Sequence, residues 1–240
     1  VSFYFPGAKE PAVSHVSFEA KPGETTAIIG STGSGKTALV GLIPRFYDVQ
    51  EGEVLVDGVN VKDYDRRTLR RKIGYVPQKA LLFKGTIMEN IRFGDDSASD
   101  ERVKEAAAIA QSTDFIEDKP DGFDSSISQG GSNVSGGQRQ RLAIARAIVR
   151  KPEIYVFDDS FSALDFKTDS ALRQALSKET GNATVVIVAQ RVSTIMNADR
   201  IIVMDEGKVM GIGTHRELLN TCGTYQEIVR SQLSEEEMSA

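Results

Sequence analysis

Short runs of consecutive apolar residues recur along the chain, separated by stretches of helical or mixed spacing. Thr25-Thr26-Ala27-Ile28-Ile29, Ile73-Gly74-Tyr75-Val76, Ile154-Tyr155-Val156-Phe157, Thr184 to Ala189 and Arg200 to Met204 are nearly free of charge. Strict alternation marks a strand with one wet face, whereas an unbroken apolar run marks a strand buried on both faces, as in parallel sheets. Most of these runs lead into polar residues: Gln78 after Pro77, Asp158-Asp159, Gln190 and Asp205-Glu206-Gly207. In open α/β sheets ligands bind beyond the carboxyl ends of the strands. That rule predicts Gln78, Asp158, Asp159 and Gln190 on one edge, together with the glycine loop after Ile29.

Other elements follow from punctuation. Val1–Phe5 and Ala12–Phe18 are predicted as strands joined at Pro6-Gly7, and Lys21-Pro22-Gly23-Glu24 as a turn. Gly52–Gly58 and Val59–Val61 read as a hairpin through Asp57-Gly58. Ala38–Ile43 reads as a helix disturbed by Pro44, and Asp65–Arg71 as a short basic helix. Between Gln78 and Ile154, the stretches Thr86–Ile91, Asp100–Gln111 and Gln138–Arg150 carry helical spacing between loops rich in Gly, Asp and Ser. The expected organisation is α/β: a core over residues 1–78 and 152–233, a helical insertion over 79–151, and an acidic flexible tail over 234–240.

Composition narrows the class. The 240 residues are 40% hydrophobic and 26% charged, which suffices for a packed core in one large domain. A net charge of -5 argues against nucleic acid as a partner. A single cysteine, Cys222, permits no internal disulfide and fits a reducing compartment. No apolar run has the length of a membrane span. The opening Val1-Ser2-Phe3-Tyr4-Phe5, without an initiator methionine, is expected of a domain from a longer polypeptide. His15 and His215 have no metal-ligand spacing and read as surface or hydrogen-bonded histidines.

The stretch Gly30-Ser31-Thr32-Gly33-Ser34-Gly35-Lys36-Thr37 fits Gly-x4-Gly-Lys-Ser/Thr, the Walker A loop. A predicted strand before it and a helix after it supply the required context; a flexible Gly/Ser linker would have neither. The glycines let successive N–H groups turn inward toward a phosphate, and the helix start adds unpaired donors and the positive end of its dipole. Lys36 is expected to reach the β- and γ-phosphates, and the Thr37 hydroxyl to ligate Mg2+. A second glycine helix start, Ser135-Gly136-Gly137-Gln138, precedes Arg139-Gln140-Arg141-Leu142.

Walker A, Gln78 after a strand, this second glycine segment and Ile154-Tyr155-Val156-Phe157-Asp158-Asp159 occur in the order of an ATP-binding cassette (ABC) nucleotide-binding domain. The chain resembles that family over nearly its whole length. Tyr75-Val76-Pro77-Gln78 with Leu82 to Ile91 resembles the exporter branch. The resemblance implies a P-loop NTPase (RecA-like) core with an N-terminal antiparallel β subdomain and an inserted helical subdomain. It implies ATP and Mg2+ as cofactors, with Phe5, Ser31, Thr32, Gly33, Ser34, Gly35, Lys36, Thr37 and Ala38 binding the nucleotide. Thr37, Gln78 and Asp158 would serve the metal, and Asp159, Gln190 and Gln78 would be catalytic. Ser135, Gly136, Gly137 and Gln138 would bind ATP held by a partner domain in a head-to-tail sandwich, with Asp165 in the loop Ser162-Ala163-Leu164-Asp165 facing that partner. The remaining implied partner is the coupling helices of a transmembrane domain, which would put the chain at the cytoplasmic face of the cell membrane. Phe5 also has a plain reading, as a core aromatic.

Three positions depart from the family pattern. The general-base glutamate is replaced by Asp159, the switch histidine by Gln190, and the exporter Val-Gly-Glu loop by Ile127-Ser128-Gln129-Gly130-Gly131. Asp159 is one methylene shorter, and misplacement of a base by about 1 Å costs roughly 10²-fold. Gln190 still donates a hydrogen bond but never becomes a cation. The two changes together resemble the degenerate subunit of a heterodimeric exporter. Against this stands a fully active ATPase domain of a homodimeric exporter. A tandem soluble ABC ATPase is disfavoured, because the chain holds one cassette and no long coiled coil.

Overall fold

A computed structural model describes residues 1–232; the expected acidic tail lies outside the described residues. The chain divides into two compact units, Val1–Ile73 with the chain from Thr184 onward, and Gly74–Ala183. In chain order, the first unit opens with β1 (Thr25–Gly30), α1 (Lys36–Gly41), β2 (Leu55–Val56), β3 (Val59–Asn60) and α2 (Arg66–Arg71). The second runs through β4 (Ile73–Val76), β5 (Gly85–Thr86), α3 (Ile87–Arg92), α4 (Asp100–Ile109), α5 (Thr113–Glu117), β6 (Ser126–Ile127), α6 (Gly136–Ile148), β7 (Ile154–Asp158) and α7 (Phe166–Glu179). The first resumes with β8 (Thr184–Val188), α8 (Val192–Ile195), β9 (Arg200–Asp205), β10 (Lys208–Gly213), α9 (His215–Thr221) and α10 (Gly223–Gln232).

The apolar runs form the strands they predict. In the first unit the order is β10-β9-β1-β8. Strand β1 runs parallel to both neighbours, pairing Ala27 with Ile187 and with Ile201. Ala27, Ile28, Ile29, Ile202 and Val203 are sealed from solvent, the double-sided burial that an unbroken run requires. Strand β10 closes the edge antiparallel to β9. Its burial alternates along the strand, leaving Met210 and Ile212 exposed. Helix α1 lies against β1 and β8, α9 against β10, and α10 against α8 and α9.

The N-terminal β region is antiparallel but sparser than expected. Instead of two full strands there are isolated bridges, Ser2 with Glu51 and Phe3 with Val13. The cause is local. The Gln50 amide takes both backbone groups of Tyr4, accepting from its N–H at 3.0 Å and donating to its carbonyl at 3.2 Å, so no strand partner is needed there. On the other arm His15 sits at φ 52, which breaks extension after Ser14. The hairpin of β2 and β3 turns through Asp57 and Gly58, both at positive φ, as an Asp-Gly type I′ turn demands.

In the second unit β4 and β7 are neighbouring strands. Helices α3, α4 and α6 touch pairwise, and α4 also touches α7. Helix starts are set by side-chain caps: Thr86 with Glu89 for α3, Ser99 for α4, and Ser135 with Gln138 for α6. The Ser135 box moves the start of α6 two residues ahead of the predicted one. Helix α4 ends at Ile109, before Gln111 at φ 56. Arg102 ties three helices together. Its guanidinium donates to the Ile148 carbonyl at 2.6 Å, to the Val149 carbonyl at 3.3 Å and to Glu179 at 2.6 Å. A cation over the last carbonyls of α6 also meets the negative end of that helix.

Close approach after α3 depends on Gly94, where a Cβ would lie 2.0 Å from the Arg146 carbonyl oxygen. Gly94→Ala is expected to force that turn away from α6 and lower unfolding stability by about 2 kcal/mol or more. Chemical denaturation monitored by circular dichroism checks this; an unchanged midpoint would show that the contact is soft.

Candidate functional site

The glycine loop joins β1 to α1. Gly33 and Gly35 adopt φ 82 and 94, the left-handed region that lets the chain curl between strand and helix. A Cβ on Gly35 would also lie 2.2 Å from the Ala12 carbonyl oxygen. The Lys36 ammonium is folded into the loop, donating to the Gly30 and Ser31 carbonyls at 2.8 and 2.7 Å and to Ser34 Oγ at 3.2 Å. Ser31 Oγ donates to Asp205 at 3.1 Å, and the Ser34 carbonyl accepts from the Gly207 N–H at 3.1 Å. Ser31, Thr32, Gly33 and Thr37 face solvent, while Ser34, Lys36 and Ala38 are buried. The first turn of α1 has no acidic residue, and its N-cap, Gly35, has no side chain to cap it. These features suit an anion, because backbone donors and the helix dipole point the same way.

The carboxylates form a separate set at the end of β7. Asp158 is buried, and its Oδ2 accepts from the Tyr75 hydroxyl at 3.1 Å. Asp159 is 6% exposed, and its Oδ2 accepts from Gln78 Nε2 at 3.0 Å. Ser160 Oγ donates to the Val76 carbonyl at 2.9 Å, tying the turn after β7 to β4. Asp159 sits at φ 48, a conformation that Asp and Asn tolerate better than longer side chains because of their short polar groups. Sequence reasoning singled out Gln78, Asp158 and Asp159 but missed Tyr75, although it stands on β4, three residues before Gln78. Its hydroxyl had no partner visible in the sequence.

At the start of α6, Ser135 Oγ accepts from the Gln138 N–H at 3.2 Å, and Gln138 Oε1 accepts from the Ser135 N–H at 3.0 Å. Both side chains therefore serve the helix start itself. Gly136 opens onto free space, with no atom within 4 Å of where a Cβ would be. Asp165 caps α7, accepting from the N–H and hydroxyl of Thr168, and these bonds hold its carboxyl below the usual range. The departing loop over 127–131 turns through Gly130 and Gly131 at positive φ, with the Gly130 N–H donating to the Leu82 carbonyl.

Phe5 is 41% exposed and meets Phe3 and Tyr47 edge to face, at 4.9 and 5.5 Å between ring centroids. It is therefore a supported surface aromatic rather than a core one. Tyr47 was missed, since nothing in its local pattern points to Phe5. Gln190 lies in the loop after β8 and is exposed. Of the residues read as bland, His215 shares a 2.7 Å hydrogen bond with the Tyr225 hydroxyl and Cys222 is buried. Among the described residues, no group of three or more His, Cys, Asp or Glu could hold a metal, and no helix is long and apolar enough to cross a membrane.

Comparison with known proteins agrees with this geometry. The chain is 49% identical over 234 residues to an uncharacterized ABC transporter ATP-binding protein of Mycobacterium tuberculosis, covering 96% of this chain and 40% of that protein. It is 44% identical over 235 residues to the ATP-dependent lipid A-core flippase of Chromobacterium violaceum, covering 98% and 40%. A bacterial Atm1-family ABC exporter with ATP bound superimposes with a TM-score of 0.94 at 37% identity, covering 98% of this chain and 41% of that one. The chain thus spans about two fifths of the length of the relatives it matches. The ABC transporter family model matches residues 13–162, a span that includes the Lys36 loop, the Ser135 helix start and both carboxylates, and the chain belongs to the ABC transporter family.

Proposed function

We propose that this chain is the nucleotide-binding domain of an ABC exporter, binding MgATP and pairing head to tail with a second such domain to drive a transmembrane part. The observation that carries this reading is the loop at Lys36, with its ammonium held among its own oxygens at the uncapped start of α1. Lys36 exchanges those acceptors for β- and γ-phosphate oxygens, and the loop N–H groups of residues 33–38 bind the remaining phosphate charge. Phe5, exposed and braced by Phe3 and Tyr47, offers a face for adenine. By the family resemblance Thr37, Gln78 and Asp158 would serve Mg2+, which beside phosphate takes one or two protein oxygens and keeps its waters. When bound, that ion neutralises charge developing on the transferred phosphoryl group. Tyr75 holds the Asp158 carboxylate in one orientation, and Gln78 and Asp159 orient water. Ser135, Gly136, Gly137 and Gln138 serve ATP on the partner, with the open side of Gly136 admitting phosphate.

We further infer that this chain's own site is degenerate and that the partner is a non-identical subunit. The short Asp159 carboxylate is already engaged by Gln78, and the uncharged Gln190 replaces a titratable switch residue. The homodimeric alternative keeps one supporting observation: Asp159 is still a carboxylate, held just past the end of β7. Membership of an integral membrane transporter, at the cytoplasmic face, is part of the same proposal, as is the helical lobe over 79–151. An exposed apolar patch of Leu81, Phe83 and Phe93 lies on the second unit, at 65%, 41% and 62% exposure. It is backed by Arg146, whose guanidinium lies over both phenyl rings and is pushed down to about 10 by burial. We assign this patch to the transmembrane coupling helices.

The test is the double replacement Asp159→Glu with Gln190→His in the full-length transporter, with the partner's own site disabled. Hydrolysis at this chain's site is expected to rise about 10²-fold. A change below about twofold would mean that the site is already competent and would favour the homodimeric reading. For the patch, Leu81→Ser with Phe93→Ser is expected to abolish stimulation of ATPase by transported substrate while leaving the MgATP Kd within about twofold. Intact stimulation would exclude this surface.

A further inference from the structure

Helix α10 reaches back to the loop that carries Gln190. The loop between β8 and α8 consists of Ala189, Gln190 and Arg191, and Gln232 at the end of α10 grips it from both sides. Gln232 Nε2 donates to the Gln190 carbonyl at 2.7 Å, and Gln232 Oε1 accepts from the Val192 N–H at 2.8 Å. Val192 is the first residue of α8, and the α8 N-cap is Arg191, whose side chain makes no cap hydrogen bond. Gln232 therefore supplies from another helix the acceptor that a Ser or Asp cap would supply locally. A side-chain amide is suited to this, because it presents one donor and one acceptor as a peptide group does.

The helix that delivers Gln232 is itself fixed. Tyr225 and Val229 are fully buried, and 225, 229 and 232 fall on one helical stripe. The Tyr225 hydroxyl is bonded to His215 Nδ1. Beside this stripe a cleft of about 370 Å3 separates Glu227 and Ser231 of α10 from Ser31, Thr32 and Gln190. The end of α10 thus borders both the phosphate loop and the Gln190 loop, and its hydrogen bonds go to the second.

We propose that Gln232 is a positioning residue for Gln190, setting where the Gln190 side chain stands when a triphosphate is bound. The inference rests on the reading above of Gln190 as the switch residue, with its side-chain amide donating to a γ-phosphate oxygen. It makes the last turn of α10 part of the γ-phosphate response without contact between Gln232 and nucleotide. Displacing the end of α10 would then weaken the response to ATP and leave ADP untouched, because ADP has no γ-phosphate.

The test measures MgATP and MgADP affinity at this chain's site in the full-length transporter with its partner, together with amide exchange at Val192. Gln232→Met, of similar length without the amide, removes both hydrogen bonds and is expected to weaken MgATP about fivefold, with MgADP unchanged and the Val192 amide exchanging faster. Gln232→Glu keeps the acceptor for Val192 but sets a carboxylate oxygen against the Gln190 carbonyl, so it should weaken MgATP at least as much as Gln232→Met while slowing exchange at Val192 relative to it. Gln190→Ala should reproduce the loss of ATP preference, and adding Gln232→Met to it should change nothing further. Equal weakening of MgATP and MgADP by Gln232→Met would reduce Gln232 to a structural cap. A loss of ATP preference in Gln190→Ala but not in Gln232→Met would overturn the inference while sparing the reading of Gln190. No loss in Gln190→Ala would overturn that reading, and the inference with it.

Discussion

A buried ammonium folded among oxygens of its own loop organises the phosphate loop. Lys36 is 8% exposed and is held by two carbonyls and a hydroxyl of its own loop. Withdrawing an ammonium from water costs several kcal/mol, and hydrogen bonds to a charged donor return about 1.5–3 kcal/mol each. These bonds offset that cost with oxygens of a kind that a bound anion also supplies. The close approach of backbone needed for this excludes a side chain at 35, where the Ala12 carbonyl stands 2.2 Å from any Cβ. The buried parallel strands supply the rigidity. Strand β1 is paired on both sides, and the loop springs from its end.

The second set of groups works through pairing between neighbours. Tyr75 fixes Asp158 and Gln78 fixes Asp159, each across one hydrogen bond near 3 Å. The left-handed backbone at 159 fits an Asp better than a Glu. The departure at 159 is thus accommodated by its backbone.

The sequence made the buried strands legible because an unbroken apolar run has few alternatives. It made the glycine loop and the Ser135 helix start legible because they need particular residues at particular spacings. The N-terminal strands were over-read, since Gln50 takes the backbone of Tyr4 from far along the chain, and periodicity carries no sign of that. Tyr75, Tyr47 and Gln232 stayed hidden for the same reason: each acts through a partner distant in sequence. Gln232 alone left a trace, as the third member of the stripe begun by Tyr225 and Val229, but nothing in that stripe names the Gln190 loop as its target.

The central claim is that this chain retains ATP where a competent domain would hydrolyse it. The most direct measurement is the identity of the nucleotide held at this chain after the full-length transporter has turned over, read by photo-crosslinking radiolabelled azido-ATP to this chain and to its partner separately. The account predicts triphosphate retained on this chain while the partner carries diphosphate. Diphosphate appearing on this chain as fast as on the partner would contradict it.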